Sequence, residues 1–273
     1  MPPVIHRYPV KHPLLRKHIR FFWELRAEHM HLDHTLIPQR NINLRFNLCD
    51  TPHFIHDGDR VTRLESSYFP GLQDHFRHLH LRLDGRVEVL GVCFSPAGFY
   101  PFAGIPVSEF KNQVLGVREV GNGILHALSE RLREADGTTA RLHILESELE
   151  MLLVRNEAEP GNFTRLFSRL KTEDSDRQIA GFCRENRITP RTLERMYNKF
   201  VGLPAGTYGT LNRFHSSMNQ LLHNDFSKLS DVAFDNGYFD QTHFIRDFRR
   251  YTGNTPKNFV KQNNSLLQIG KMG

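Results

Sequence analysis

Two segments of this chain, Phe182–Gly202 (FCRENRITPRTLERMYNKFVG) and Val232–Gly253 (VAFDNGYFDQTHFIRDFRRYTG), are versions of one pattern. Their closing glycines, Gly202 and Gly253, stand 51 residues apart. Each reads as a short helix, a tight turn and a longer helix that carries arginines. A chain that writes this twice commits its C-terminal part to helices, and two such units can enter two successive stretches of major groove.

The helix starts are specified by the residues themselves. Thr189 is placed to cap a helix whose first residue is Pro190, where proline sacrifices no backbone hydrogen bond. Helical spacing then puts Leu193, Met196, Tyr197 and Phe200 on one face and Arg191, Glu194, Arg195 and Asn198 on the other. In the second copy Asp240 is the expected cap, Phe244 and Phe248 face inward, and Thr242, His243, Arg246 and Arg249 or Arg250 project outward. Arginine can bond guanine O6 and N7 in bidentate fashion and glutamate can accept from cytosine N4, so these faces carry the chemistry of base reading. A solvated helix face would explain either copy alone. It does not explain a shared cap, turn, apolar spacing and arginine position.

The charge agrees with this reading. Of the net +6, residues 160–273 hold 17 Lys and Arg against 10 Asp and Glu, while residues 1–159 hold 19 against 20. The positive excess belongs to the half that carries the repeat, as phosphate binding requires. No apolar run approaches the roughly 20 residues that span a bilayer, and MPPVIHRYPVKHP lacks the apolar stretch of a secretory signal, so a cytoplasmic protein is expected. Cys49, Cys93 and Cys183 are far apart and odd in number, which argues against a disulfide framework or a cysteine zinc site.

Along the chain the periodicity changes once. Ile42–Leu48, His78–Leu83 and Val87–Phe94 alternate or run apolar between Gly, Pro and Asp breaks, and predict several short strands in a barrel or sandwich. Gly123–Arg133 and Thr139–Val154 are amphipathic helices, the second with a stripe of Leu142, Leu145, Leu149, Leu152 and Leu153 that serves either as core or as a partner surface. Arg155–Asn162 is polar with a Pro-Gly pair. The expected class is therefore α+β: a β-rich unit with two following helices over 1–155, a linker over 156–162, an all-helical unit over 163–262 and a tail over 263–273. A helix near Phe163–Leu170 and a long one over Ala205–Leu222 complete the second unit, the latter burying Leu211, Phe214, Met218, Leu221 and Leu222.

Residues 163–262 resemble the double helix-turn-helix domain of AraC/XylS-type bacterial transcription regulators. The resemblance rests on RTLERMY at Arg191–Tyr197, on Arg213 with Leu221 and Leu222, and on NGYFDQTHFIRDFRRYTGNTP at Asn236–Pro256, which follows the family signature GF-x-D-x-SHF-x-R-x-F-K-x-x-x-G-x-TP. It implies base reading by Arg191, Glu194 and Arg195 in the first copy and by Gln241, Thr242, His243 and Arg246 in the second. It implies phosphate contacts from Lys199, Arg213 and Arg250. It further implies double-stranded DNA and RNA polymerase as partners, a small-molecule effector, a homodimer, and neither membrane nor cofactor. The chain departs from the family at Cys183, Tyr238 and Thr242, and carries Asn186 and Arg187 where the first turn usually has glycine. Asn186 is expected to take the left-handed turn conformation.

The first 155 residues resemble the cupin-like sensor domain of one branch of these regulators, through Pro9–Leu25, Ile37–Leu48, Tyr68–His75 and Gly91–Phe110. That implies an architecture and no particular ligand. The histidines His29, His31 and His34, with His75, His78 and His80, raise a metal-dependent cupin-type enzyme as an alternative, since His78 and His80 would share a strand face. No Glu follows either cluster at cupin spacing, so no metal is assigned. Phe21, Phe22, Trp23, Phe94, Phe99, Tyr100 and Phe102 could line a pocket or form the core. Neither Cys93 nor Ser95 sits in a nucleophile motif, and no catalytic residue is expected. A third reading is a constitutive regulator whose N-terminal half only dimerises, through the leucine stripe.

Overall fold

The computed structural model describes residues 4–120, 123–156, 167, 176–223 and 226–262. The described N-terminal strands are β1 (Val4–Tyr8), β2 (Ile19–Thr35), β3 (Asn43–Asn47), β4 (Phe54–Asp57), β5 (Arg60–Arg63), β6 (Ser67–Pro70), β7 (Leu79–Phe94) and β8 (Val114–Gly116). They form one antiparallel sheet in the order β1-β2-β7-β3-β6-β8, with β4 added to β7 and β5 to β4.

The two strands expected over 78–83 and 87–94 are one strand of 16 residues. Asp84-Gly85 looks like a break because both residues usually end strands. Here Gly85 adopts φ 119° opposite a register shift between Ala27 and Met30 in β2, so the strand bulges and continues. The change of pattern along β7 follows its surroundings. Leu79, Leu81 and Leu83 point inward while Arg82 and Asp84 face solvent, whereas Val87–Phe94 is buried on both faces.

What covers the second face is helical. Phe22, Leu44, Phe46, Leu90, Val92 and Phe94 pack in one apolar cluster with helices α1 (Tyr100–Ala103), α2 (Gly123–Glu134) and α3 (Gly137–Arg155). The leucine stripe of α3 belongs to that core: Leu145, Leu149 and Leu152 are buried, and Leu142 and Leu153 pack partly against it. Burying each contributes roughly 1.5–3 kcal/mol, so the stripe is not a free dimerisation surface. The opposite sheet face carries Trp23, Leu25, Leu81, Leu83 and Val89, which form a second cluster around a cavity.

The C-terminal half is helical as expected: α4 (Asp176–Glu185), α5 (Pro190–Phe200), α6 (Ala205–Leu222), α7 (Leu229–Asp235), α8 (Gln241–Thr252) and α9 (Pro256–Gln262). The linker and most of the helix expected at 163–170 lie outside the described residues. Phe167 is described, and its ring packs on those of Tyr197 and Tyr208. The halves share one continuous apolar cluster. At their joint Tyr208 donates to the Arg40 carbonyl at 3.1 Å, His215 Nε2 donates to the Pro38 carbonyl at 2.9 Å, and Tyr100 meets Phe200 edge to face.

Candidate nucleic-acid interface

The doubled pattern folds as two helix-turn-helix units, α4–α5 and α7–α8, on either side of α6. Thr189 caps α5 by accepting from Thr192 N at 3.1 Å, and Asp240 caps α8 by accepting from His243 N at 2.7 Å. Both turns close with the same bond, Ile188 N to the Cys183 carbonyl and Tyr238 N to the Ala233 carbonyl. The residue that goes left-handed in the first turn is Arg187 (φ 53°), not Asn186; Gly237 (φ 72°) is its counterpart. Asn186 uses its side chain instead, donating Nδ2 to the Phe182 carbonyl at 2.9 Å. From Arg187 to Thr189 is two residues and from Gly237 to Asp240 is three, so the second turn is one residue longer. Phe239, in that longer turn, is 86% exposed.

The expected reading side chains divide on inspection. Arg191, Arg195, Gln241, Thr242 and Arg246 are exposed, and Arg195 and Arg246 occupy equivalent places on α5 and α8. His243 is half-buried, 3.4 Å from Asp247 and edge-on to Tyr238, which orients its ring. Glu194 is engaged: its Oε2 accepts from the backbone N of Ala205 at 3.2 Å, where an anion favours the start of α6. Glu194→Ala is accordingly expected to lower stability by about 1 kcal/mol while leaving base preference unchanged, measured by denaturant midpoint and by competition between single-base variants of the bound site.

The three expected phosphate contacts are also placed. Lys199 lies over the rings of Tyr100 and Phe200. Arg213 stacks on Tyr238 and reaches the Gly237 carbonyl, so it braces the second turn from the connecting helix. Arg250 stacks on Tyr251 and donates Nε to the Asp74 carbonyl at 3.2 Å, across the joint to the N-terminal half. Sequence spacing showed that Arg250 points outward. It could not show that another part of the chain would be there.

Two features connect α5 and α8 to the N-terminal half. A shallow groove is formed by Arg191, Arg195 and Lys199 of α5 together with Pro106, Ser108 and Glu109. Behind α8, a cavity of about 490 Å³ lies between the halves, lined by Trp23, Arg45 and Tyr68 of the sheet and by Met218, Gly253 and Phe259 of the helical half. Phe76 closes its rim, donating N to the Arg250 carbonyl at 2.8 Å and packing on Gly253, where a β carbon would lie 2.8 Å from the Phe76 ring. Of the aromatic group singled out above, Trp23 faces this cavity; Phe22, Phe94, Phe99 and Phe102 belong to the opposite core.

Three of the clustered histidines pair with carboxylates rather than with one another. His80 meets Asp33 at 3.0 Å, His75 meets Asp74 at 2.5 Å, and His31 lies 3.6 Å from Asp84. Among the described residues, no group of three His, Cys, Asp or Glu could hold a metal ion. Among them, too, no helix is long and apolar enough to cross a membrane.

Residues 182–262 match the model of a helix-turn-helix domain, and residues 10–116 match that of a domain of unknown function, DUF6597. No curated protein matches the chain. Among solved structures the chain is similar to ToxT from Vibrio cholerae O395, at 12% identity over 89% of this chain and 98% of that one, with a TM-score of 0.46. It is similar to unsaturated fatty acid bound ToxT from Vibrio cholerae strain SCE256, at 11% identity over 95% of each chain, TM-score 0.45. The AraC-like transcriptional activator CuxR is similar at 14% identity over 73% of this chain and 77% of that one, TM-score 0.28.

Proposed function

We propose that the chain is a DNA-binding transcription regulator of the AraC/XylS type, its helix-turn-helix match over residues 182–262 supporting that reading, and that α5 and α8 read two successive major-groove segments on one face of the duplex. The observation that carries this is the equivalence of Arg195 and Arg246, exposed at matching places on two capped helices with buried α6 between them. In this reading the segments lie about 34 Å apart, one turn of DNA. Arg191 and Arg195 specify the first segment, and Gln241, Thr242, His243 and Arg246 the second. Lys199 adds charge near the backbone. Arg213 and Arg250 position the second unit first and touch phosphate second, because each is already held by protein. The N-terminal half, residues 1–155, senses an effector and transmits it across the joint to the unit over 163–262. RNA polymerase, a second copy of the chain and a place at the nucleoid in the cytoplasm complete the proposal.

Arg246→Ala should weaken binding to the specific site by roughly 1–3 kcal/mol and binding to random DNA hardly at all, because it removes a base contact and leaves the phosphate contacts. Binding-site sequencing across the host genome supplies the operator, and titrations on operator and scrambled duplex at fixed salt make the comparison. An operator affinity and footprint unchanged by the substitution would remove α8 as a reader.

A further inference from the structure

The two turns differ by one residue, and that residue is Phe239. Ile188 and Tyr238 are equivalent, since each donates its backbone N to a carbonyl five residues earlier, that of Cys183 or Ala233. Thr189 follows Ile188 directly as the cap of α5. Between Tyr238 and the cap of α8, Asp240, stands Phe239, for which the first unit has no counterpart. An inserted surface residue is usually polar. This one is a phenyl ring 86% exposed, the most exposed large apolar side chain among the described residues.

The ring points outward because both of its neighbours are fixed. Tyr238 is buried at 3% exposed, its ring against those of His243 and Phe244, with the Arg213 guanidinium stacked on it. Asp240 is extended, at φ −153° and ψ 173°, and its carboxylate accepts from His243 N. Along extended backbone successive side chains point to opposite sides, so the residue after an inward tyrosine faces away from the core. The ring thus leaves the protein from a braced stretch of chain, and little order has to be gained when it meets a partner.

Its position identifies that partner. Past the cap come the exposed Gln241 and Thr242, with Arg246 one turn further along the same helix. In a helix-turn-helix the first residues of the second helix stand at the base edges of the major groove. A phenyl ring there can neither donate nor accept a hydrogen bond. The groove offers it one apolar substituent, the C5-methyl of thymine; the other groups that mark a base pair are donors and acceptors. A phosphate, the other neighbour on the duplex, is repelled by the negative face of the ring. Bringing ring and methyl together removes apolar surface of both from water.

We propose that Phe239 is a specificity residue of the second unit, its ring packing on the C5-methyl of one thymine in the segment met by α8. The contact gives α8 a base preference that α5 lacks, because the first turn has no residue to make it. This rests on the reading of α8 proposed above and extends it from hydrogen bonds to an apolar contact.

The test titrates the full chain on the operator found by binding-site sequencing, each thymine of the second segment being replaced in turn by deoxyuridine. That change removes the methyl and leaves base pairing intact. One replacement is expected to weaken binding roughly 3- to 5-fold, the weight of about one buried methyl. Phe239→Ser is expected to bind the thymine and deoxyuridine duplexes alike, and Phe239→Leu to keep most of the difference. Neither should lower the denaturant midpoint, since the ring supports nothing in the fold. A second segment without thymine, replacements that all leave binding unchanged, or a methyl effect that survives Phe239→Ser would each overturn the proposal. A loss in Phe239→Ser that is equal on both duplexes would do the same, placing the ring on the DNA backbone. The Arg246→Ala titration separates this from the reading beneath it: a loss there without a methyl effect removes only the thymine contact, and no loss in either removes α8 as a reader.

Discussion

Between pH 7 and pH 5 the ligand-free protein is expected to lose on the order of 5 kcal/mol of folding stability, a large share of what a chain of this size has to lose. The main cause is three buried histidines whose charged form the fold disfavours; burial and then Lys17 lower a fourth, His18, in the same direction. His34 and His53 are pushed down to about 4, chiefly by burial and then by Arg45; His215 is pushed down to about 3 by burial and then by Arg40, against the bond it donates to the Pro38 carbonyl. In the unfolded chain each protonates near 6.5. Folded pKa values below unfolded ones mean stability that is whole above pH 6.5 and drains as the pH falls toward 4, at about 2 kcal/mol for each histidine by pH 5. Carboxylates add little in this window. The one most depressed, Asp74, is held near 2 despite burial by bonds from His75, Asn112 and Lys111, so its contribution goes only below about pH 4. Denaturant midpoints at constant ionic strength measure the slope, and His215→Gln should flatten it by about a third. A midpoint level from pH 7 to pH 5 contradicts the account.

Gly91→Ala is expected to destabilise the N-terminal half by about 3 kcal/mol, the upper end of what one methyl does in a packed interior. A β carbon there would sit 2.0 Å from Trp23 Cε2, 2.3 Å from Cζ2 and 2.4 Å from Nε1. The indole is 2% exposed and flanked across the sheet by the rest of its cross-strand row, Gly91, Arg45 and Tyr68, so it can yield only by turning into the cavity it lines, at the loss of those contacts. Trp23 is the chain's single tryptophan, which makes the displacement visible. Its emission should move to longer wavelength as the denaturant midpoint falls. A wild-type spectrum and midpoint would mean that the ring and the glycine are not in contact.

Much of the helical half could be read from residues because its determinants are local. A threonine before a proline, an aspartate three residues before a backbone donor, and an apolar face repeated every three or four positions act within one or two turns. What escaped was set by distant partners. Glu194 carries the right chemistry for a base contact, but the start of α6 lies within its reach. Arg250 projects outward and finds the carbonyl of a residue 176 positions away. The first turn was expected to bend at Asn186, the residue that tolerates it best, whereas the geometry needs the bend one residue later, at Arg187. In the sheet, the sequence marks Ile42–Leu48 only as a short strand; in the structure Asn43, Arg45 and Asn47 alternate with Leu44 and Phe46 and lie on the opposite face. The alternation could not say that the polar face looks into a cavity between the halves rather than bulk water, because the period of a strand is the same in either case. Arg45 is therefore an ordinary strand residue in sequence and a buried one in space.

The connecting helix α6 is 18 residues long and buried along one side, and so spans about 27 Å as a rigid rod. Each residue of such a rod turns whatever follows it by about 100°, so the second unit is clocked against the first as teeth are on one shaft. If α5 and α8 read the duplex as proposed, changing an arginine on either would rewrite a letter of the operator. Lengthening the rod by one residue would turn α8 away from its segment by about 100°. The bases of such an operator would be open to change one at a time, while the phase between its two words would be locked.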